Sequence, residues 1–252
     1  SNPTIYQQAI AGSDAYDDQI GEGHRVGLRV EDIYFRLAID DLQRAAEQYL
    51  AISDKAGAVV AMEVDSGRVL AAVSSPTIHL EDFIGGISKK NWNALLENPR
   101  NPLLNKAVQG VYPPGSTYKI VTALAGLAEG VITEHTTFYC PGHYYFGRRL
   151  YRCWKHSGHG TVDVRRAITE SCDVFFYQTG QRLGVDRLAA YAKKLGLGTR
   201  SGIELEHEKE GIVPTKDWKR KRFKEKWHEG ETLSVAIGQG FNNTTPLQIC
   251  LM

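Results

Sequence analysis

No run of 18 or more consecutive apolar residues occurs anywhere in the 252 residues, so the sequence contains no segment that would span a bilayer as a helix, and no signal peptide opens it. On that basis it is read as a soluble piece, with any membrane anchor expected outside it. Charge of one sign is equally scarce: the formal net charge is +1, which points to neither nucleic acid nor an anionic membrane as a partner. A nucleotide loop is lacking too. Gly110 and Gly115 are followed by Ser116-Thr117, but a phosphate loop needs its lysine directly after the second glycine, and here Lys119 comes after Ser116. The later Gly238-Gln239-Gly240 is too short to hold a dinucleotide. What is present is a hydrophobic content of 42%, enough to build the core of one large domain, or of one domain with a small appendage.

The stretch that organises the rest is Tyr112-Pro113-Pro114-Gly115-Ser116-Thr117-Tyr118-Lys119. Two prolines and a glycine stop whatever precedes them. Apolar residues then recur at helical spacing (Ile120, Val121, Leu124, Leu127, Ala128), which places Ser116 where a helix begins. Taken alone, this is a serine helix cap with a solvated lysine in the first turn. Residues three apart share a helix face, however, so the Lys119 ammonium is within reach of the Ser116 hydroxyl. A serine beside a basic amine is an activated nucleophile, and Ser-x-x-Lys is a motif of active-serine enzymes that act on amides.

Taken in order, residues 1 to 37 carry scattered charge, Gly and Tyr without a sustained period and read as a linker or the remnant of a preceding module. From about Asp40, Leu42, Ala45, Ala46, Tyr49 and Leu50 mark an amphipathic helix. Residues 56–64 and 69–74 are apolar runs separated by Asp65-Ser66-Gly67-Arg68, a β-hairpin with its turn residues in place. Residues 76 to 110 read as an irregular excursion. After the Ser116 helix, residues 130 to 160 are rich in Gly, Tyr, His and Cys without periodicity, the kind of long loop that is functional or tied down by something. Helices are expected at 163–170, 174–183 and 185–195, a strand at 232–237, and a further helix start at Thr245-Pro246-Leu247. The basic run from Lys216 to His228, with seven Lys or Arg, is read as a solvated face before a substrate-binding one.

Ser171-Cys172-Asp173 stands between two of the expected helices. Alone it reads as a helix cap. After Ser116 and Lys119 it gains a second meaning: a second hydroxyl relays protons, and a polar third residue bonds both Lys119 and a substrate amide. With the hairpin 57–75, the approach Asn101-Pro102-Leu103-Leu104-Asn105-Lys106-Ala107, and Ile237-Gly238-Gln239-Gly240 followed by Thr245-Pro246-Leu247-Gln248, the sequence resembles the class B penicillin-binding proteins. Asp173, the Gly158-His159-Gly160 turn and Phe175-Phe176-Tyr177-Gln178 resemble most the transpeptidases of cell elongation. The resemblance covers roughly residues 38 to 252, a transpeptidase domain, with residues 1–37 a linker or a remnant of the family's pedestal module.

The resemblance implies an α/β fold of the β-lactamase/transpeptidase type, a mostly antiparallel sheet packed with helices around the Ser116 helix. It implies a D,D-transpeptidase that crosslinks peptidoglycan stem peptides, with Ser116 as nucleophile, Lys119 as its base, and Ser171 and Asp173 in support. It implies acylation by β-lactams, a single inner-membrane anchor outside this sequence, a periplasmic location, and a wall-elongation glycosyltransferase and scaffold proteins as partners. A carboxypeptidase, a β-lactamase, or a non-enzymatic β-lactam sensor or scaffold would carry much the same residues. One family element departs: no Lys-Thr-Gly or Lys-Ser-Gly occurs. The family places it on a strand after residue 252, so this sequence alone is expected to lack one wall of the cleft. Asp173 also stands where asparagine is commoner, which puts a carboxylate rather than an amide beside the lysine.

The four cysteines are Cys140, Cys153, Cys172 and Cys250. In a periplasmic setting Cys140 and Cys153 could form a disulfide. The set Cys140, Cys153, His159 and Cys172 equally suits tetrahedral structural zinc, with His143 and His156 as substitutes for His159, and zinc is preferred because a loop of this length without its own core can be folded by a metal. No cofactor is expected for catalysis itself. Cys250 is expected in the core of its helix.

Overall fold

The amphipathic period read from Asp40 belongs to a longer helix. In the computed structural model, which describes residues 14–52 and 55–252, α1 (Asp17–Arg25) is followed by α2 (Val30–Ile52). Ile33 and Leu37 of α2 are buried in a small cluster with Tyr16, Ile20, Leu28 and Tyr34. The described part of the stretch read as a linker is therefore helical; its few apolar positions are diluted by Asp, Glu and Arg, which hides the period. Residues 1–13 of that reading lie outside the described residues.

The chain divides into two units, residues 1–107 and 108–252. In the first, β1 (Gly57–Met62) and β2 (Val69–Ser75) form the expected antiparallel hairpin, in register from Gly57 opposite Ser75 to Ala61 opposite Ala71. Its turn is closed by the Gly67 amide donating to the Glu63 carbonyl at 2.9 Å, and Gln43 of α2 donates to the Leu70 carbonyl at 3.1 Å. The excursion after the hairpin contains a helix the sequence reading missed, α3 (Lys89–Glu97), capped by the Ser88 hydroxyl. None of its residues is buried; Trp92, Leu95 and Leu96 do fall at helical spacing, so this short stripe and the Ser88 cap were the available signals.

The second unit is built around α4 (Lys119–Ala128), entered through a 3-10 turn over Gly115–Tyr118. Next come β3 (Phe138–Cys140), β4 (His143–Phe146), β5 (Arg149–Arg152) and β6 (Gly160–Val162), then α5 (Val164–Thr169), α6 (Asp173–Leu183) and α7 (Val185–Lys194). The chain then forms α8 (Lys216–Phe223), α9 (Glu229–Ala236) and α10 (Pro246–Leu251). β3 pairs with β6 and β4 with β5, so every strand pair among the described residues is antiparallel, in three two-stranded sheets. The α/β class with antiparallel sheets and packed helices is as expected. The aperiodic 130–160 loop is thus two short sheets whose strands of three or four residues are too brief to show alternation.

Two packing clusters flank α4. On one side Phe138, Phe175, Phe176, Tyr177 and Leu233 gather with Cys140, Cys153 and Cys172, and the Phe138 and Phe175 rings lie 5.0 Å apart. On the other, Tyr118, Val121 and Ala125 meet Leu183, Leu188, Leu197 and Val235. The segment 232–237, expected as a strand, is the end of α9. Its β-branched Thr232 and Val235 suggested a strand, but burial of Thr232, Leu233, Val235 and Ala236 against α6 decides for helix, tertiary packing overriding propensity. The basic run is helical over Lys216–Phe223, and its Lys and Arg side chains are exposed except for Lys219, which is buried and donates to Glu231 at 2.5 Å. Cys250, expected in the core, is exposed: α10 turns Leu247 and Gln248 inward, and Cys250 falls on another face.

Phe175 is fully buried between two aromatic neighbours. Its replacement, Phe175→Ala, is expected to lower unfolding free energy by about 3–5 kcal/mol, measured by chemical denaturation.

Candidate active site and metal cluster

The turn carrying Ser116 is pinned from two sides. Tyr112 exchanges backbone hydrogen bonds with Thr244, each 2.9 Å, and the Gly115 amide donates to the Gly238 carbonyl at 2.9 Å. Gly238 has φ +71°, and a Cβ there would lie 2.1 Å from the Gly115 carbonyl oxygen. Only glycine combines that backbone with so close an approach. Ser116 itself is exposed and caps nothing: no side-chain hydrogen bond closes the N-terminus of the 3-10 turn or of α4.

Ser171 and Asp173 come from the link between α5 and α6. The Cys172 amide donates to the Ala167 carbonyl at 2.9 Å while Ser171 takes φ 54°, the left-handed stop that commonly ends a helix. Asp173 is the first residue of α6. This places three acceptors around the Lys119 Nζ: Asp173 Oδ1 at 2.6 Å, the Ser171 carbonyl at 2.8 Å and Ser171 Oγ at 2.9 Å. Lys119 is only 2% exposed, and its ammonium also lies 5.8 Å from the centre of the Phe176 ring. Ser171 Oγ in turn donates to Ser116 Oγ at 3.0 Å. The four residues singled out in the sequence are therefore brought together, with one change of route. No hydrogen bond joins Lys119 to Ser116 directly among the described residues; Ser171 stands between them. Such an arrangement can move a proton from one hydroxyl through a second to an amine.

Trp154 is the residue that sequence reasoning missed. Its backbone amide donates to Asp173 Oδ2 at 2.9 Å, and its indole Nε1 to the Ser171 carbonyl at 3.0 Å and the Glu170 carbonyl at 3.1 Å. Nothing local marked it; its position directly after Cys153 was the one available hint.

Beneath this group, Cys140, Cys153, His159 and Cys172 are all buried, with ligand-type atoms within 4.8 Å of one another. His159 Nδ1 is 3.5 Å from the sulfurs of both Cys140 and Cys153. A tetrahedral ion with bonds of roughly 2.3 Å to sulfur and 2.0 Å to nitrogen sets this separation near 3.5 Å, so the donor set fits zinc. Gly158, φ +79°, lets the His159 turn come so near that a Cβ would meet the Cys140 carbonyl at 2.3 Å. His159 Nε2 is buried without a hydrogen-bond partner; the nearest carboxylate, of Glu170, is 4.0 Å away. All four cysteines are free thiols, so Cys140 and Cys153 do not form the alternative disulfide here. The hydrogen bond between Cys153 and Cys172 lowers the first thiol and, with burial, pushes the second up, as expected when buried sulfurs share one proton. His143 and His156 are not in the cluster.

An exposed serine on the turn ahead of a helix is thus linked through a second hydroxyl to a buried lysine. The model of the penicillin binding protein transpeptidase domain matches residues 57–252. Peptidoglycan D,D-transpeptidase MrdA of Escherichia coli K12 is 41% identical over 97% of this chain and 40% of its own length. The crystal structure of Pseudomonas aeruginosa PBP2 in complex with WCK 5153 superposes with TM-score 0.79 at 40% identity, over 84% of this chain and 48% of that one. Helicobacter pylori PBP2, in its complex with MreC, gives TM-score 0.79 at 40% identity over 83% and 39% of the two chains. The chain belongs to the penicillin-binding protein transpeptidase family, and it spans about 40% of the length of the curated relative from E. coli. A transaldolase/fructose-6-phosphate aldolase model also matches residues 1–75; it overlaps the hairpin at 57–75, and relatives aligned along nearly the whole chain are transpeptidases, so no function is drawn from it.

Introducing a side chain with Gly238→Ala is expected to cost about 1–3 kcal/mol through backbone strain alone, and more through the clash with Gly115. A thermal melt of the variant against the parent measures the loss.

Proposed function

We propose that this chain is part of the catalytic domain of a peptidoglycan D,D-transpeptidase of cell elongation, with Ser116 as the acylated residue. The observation that carries the reading is the hydroxyl of Ser171, bonded on one side to Ser116 Oγ and on the other to Lys119 Nζ. Ser116 Oγ attacks the carbonyl carbon between two D-alanines of a stem peptide. Its proton passes to Ser171 Oγ as the Ser171 proton passes to Lys119, taken in its amine form. The C–N bond then breaks as the proton passes from Lys119 through Ser171 Oγ to the leaving nitrogen, and D-alanine departs. The amine of a neighbouring stem peptide attacks the ester carbon and gives its proton to Lys119 through Ser171 Oγ; the bond to Ser116 Oγ breaks, the proton returns to that oxygen, and the crosslink is formed. The Ser116 backbone amide, at the entry to α4, supplies one donor to the developing oxyanion. Asp173 holds Lys119 and offers its carboxylate beside the substrate amide.

The same serine opens β-lactams. Structures of relatives support this kind of ligand and partner: penicillin-binding protein A from Mycobacterium tuberculosis forms an acyl-enzyme complex with penicillin G, and PBP2 from Helicobacter pylori is in complex with MreC. By analogy this chain works at the periplasmic face of the inner membrane with a scaffold protein and a wall-elongation glycosyltransferase. Among its described residues no helix is long and apolar enough to cross a membrane. Cys140, Cys153, His159 and Cys172 would hold a structural zinc ion outside the acyl transfer. Its chemistry when bound is to keep the thiolates paired and the loop 140–172 closed. Because Cys172 and Asp173 are adjacent, this loop also sets the position of the lysine's carboxylate.

Two experiments test the reading. With the full protein that carries this chain, a fluorescent penicillin is expected to form a stable adduct at Ser116, absent in Ser116→Ala and formed about 10²-fold more slowly in Ser171→Ala. Rapid release of hydrolysed penicillin would identify a β-lactamase instead, and no crosslinking of stem peptides by the penicillin-reactive protein would leave a sensor. Plasma mass spectrometry is expected to find about one zinc per chain with all thiols free, and chelation to lower the melting temperature. Absence of metal together with a Cys140–Cys153 disulfide would refute the zinc site.

A further inference from the structure

Lys119 is surrounded by acceptors, but those acceptors need holding, and the residue that holds them is Trp154. Its two donors act on two different groups. The backbone amide binds Asp173 Oδ2 at 2.9 Å, leaving Oδ1 for Lys119 at 2.6 Å. The indole N–H binds the Ser171 carbonyl at 3.0 Å, an oxygen that also accepts from Lys119 at 2.8 Å. A third bond, to the Glu170 carbonyl at 3.1 Å, fixes the last residue before Ser171. Ser171 itself has φ 54°, a conformation that a non-glycine residue keeps only when its surroundings enforce it.

The rest of the side chain is placed differently. Trp154 is 61% exposed, yet its polar edge is turned inward onto two carbonyls, and its ring stands edge-on to His159 with centroids 5.5 Å apart. A tryptophan serving only as core filler would be buried. One serving only as an exposed wall would leave its N–H to water.

The geometry points to Trp154 as a positioning residue for acyl transfer, a two-point clamp that orients the Ser171 carbonyl and the Asp173 carboxylate around Lys119 and so keeps the Ser171 hydroxyl aimed at Ser116. It never touches Ser116 or Lys119 by a hydrogen bond; it acts through their partners. Because it follows Cys153 and leans on His159, it also links the sulfur–imidazole cluster to the lysine. This inference rests on the acyl-transfer reading and deepens it.

The test is Trp154→Phe in the full protein, which keeps an aromatic ring against His159 and the backbone amide but removes the indole donor. Penicillin binding before acylation is expected to be unchanged and the acylation rate constant to fall about tenfold, the loss of one directed hydrogen bond, with zinc content as in the parent. The indole proton of the parent is expected to exchange with deuterated solvent slowly for so exposed a side chain. Acylation of Trp154→Phe at the parent rate, with only Trp154→Ala impaired, would reduce the residue to packing and overturn the clamp. So would fast exchange of the indole proton. Failure of the parent to be labelled at Ser116 is a different result: it removes the transpeptidase reading, while slow indole exchange would still uphold the clamp as architecture.

Discussion

A buried ammonium must be paired, and the second unit of this protein is arranged to satisfy one. Removing a single partner from a buried ion pair costs about 3–5 kcal/mol, so Lys119, at 2% exposure, constrains everything within reach of its Nζ. The carboxylate of Asp173 has to begin α6, the Ser171 carbonyl has to point back at α4, and the link between α5 and α6 must be short enough to present both. Once those positions are set and Trp154 holds the Ser171 carbonyl, Ser171 Oγ falls between Lys119 and Ser116.

The metal-type cluster and the reactive group share chain rather than merely space. Cys153 is followed by Trp154 and Cys172 by Asp173, so two of the four cluster residues are each one peptide bond from a residue that bonds around the lysine. A displacement of either sulfur is carried along the backbone to the carboxylate. The buried His159 Nε2, near Glu170 but not bonded to it, marks the side on which the cluster meets α5. Loss of order in this loop would therefore reach both Lys119 and the aromatic cluster that Cys140, Cys153 and Cys172 help to form.

The site was legible in the sequence because its residues carry local signatures: a proline–glycine stop before Ser116, Lys119 one helical turn on, and Ser171-Cys172-Asp173 between two periodic segments. The helices at 164–169, 173–183 and 185–194 were legible for the same reason. What was hidden depended on contacts distant in sequence. Trp154 takes its role from Asp173 and Ser171, nearly twenty residues on, and no spacing rule links them. Residues 232–237 read as a strand until Ala236 meets α6, and the helix through residues 30–37 is masked by charges that face water. The direct Lys119–Ser116 contact suggested by helical spacing gave way to a link through Ser171, because the Lys119 ammonium is drawn to Asp173 and Ser171, more than fifty residues on.

Ser171 sits where a helix most readily ends in glycine. With φ at 54°, a glycine would adopt that backbone freely, whereas serine is held there at a cost of about 1 kcal/mol. A glycine here would relax the turn but remove the hydroxyl that joins Lys119 to Ser116, so the backbone cost at this one residue is offset by the bonds its side chain and carbonyl make to Lys119 and by the Trp154 indole on its carbonyl.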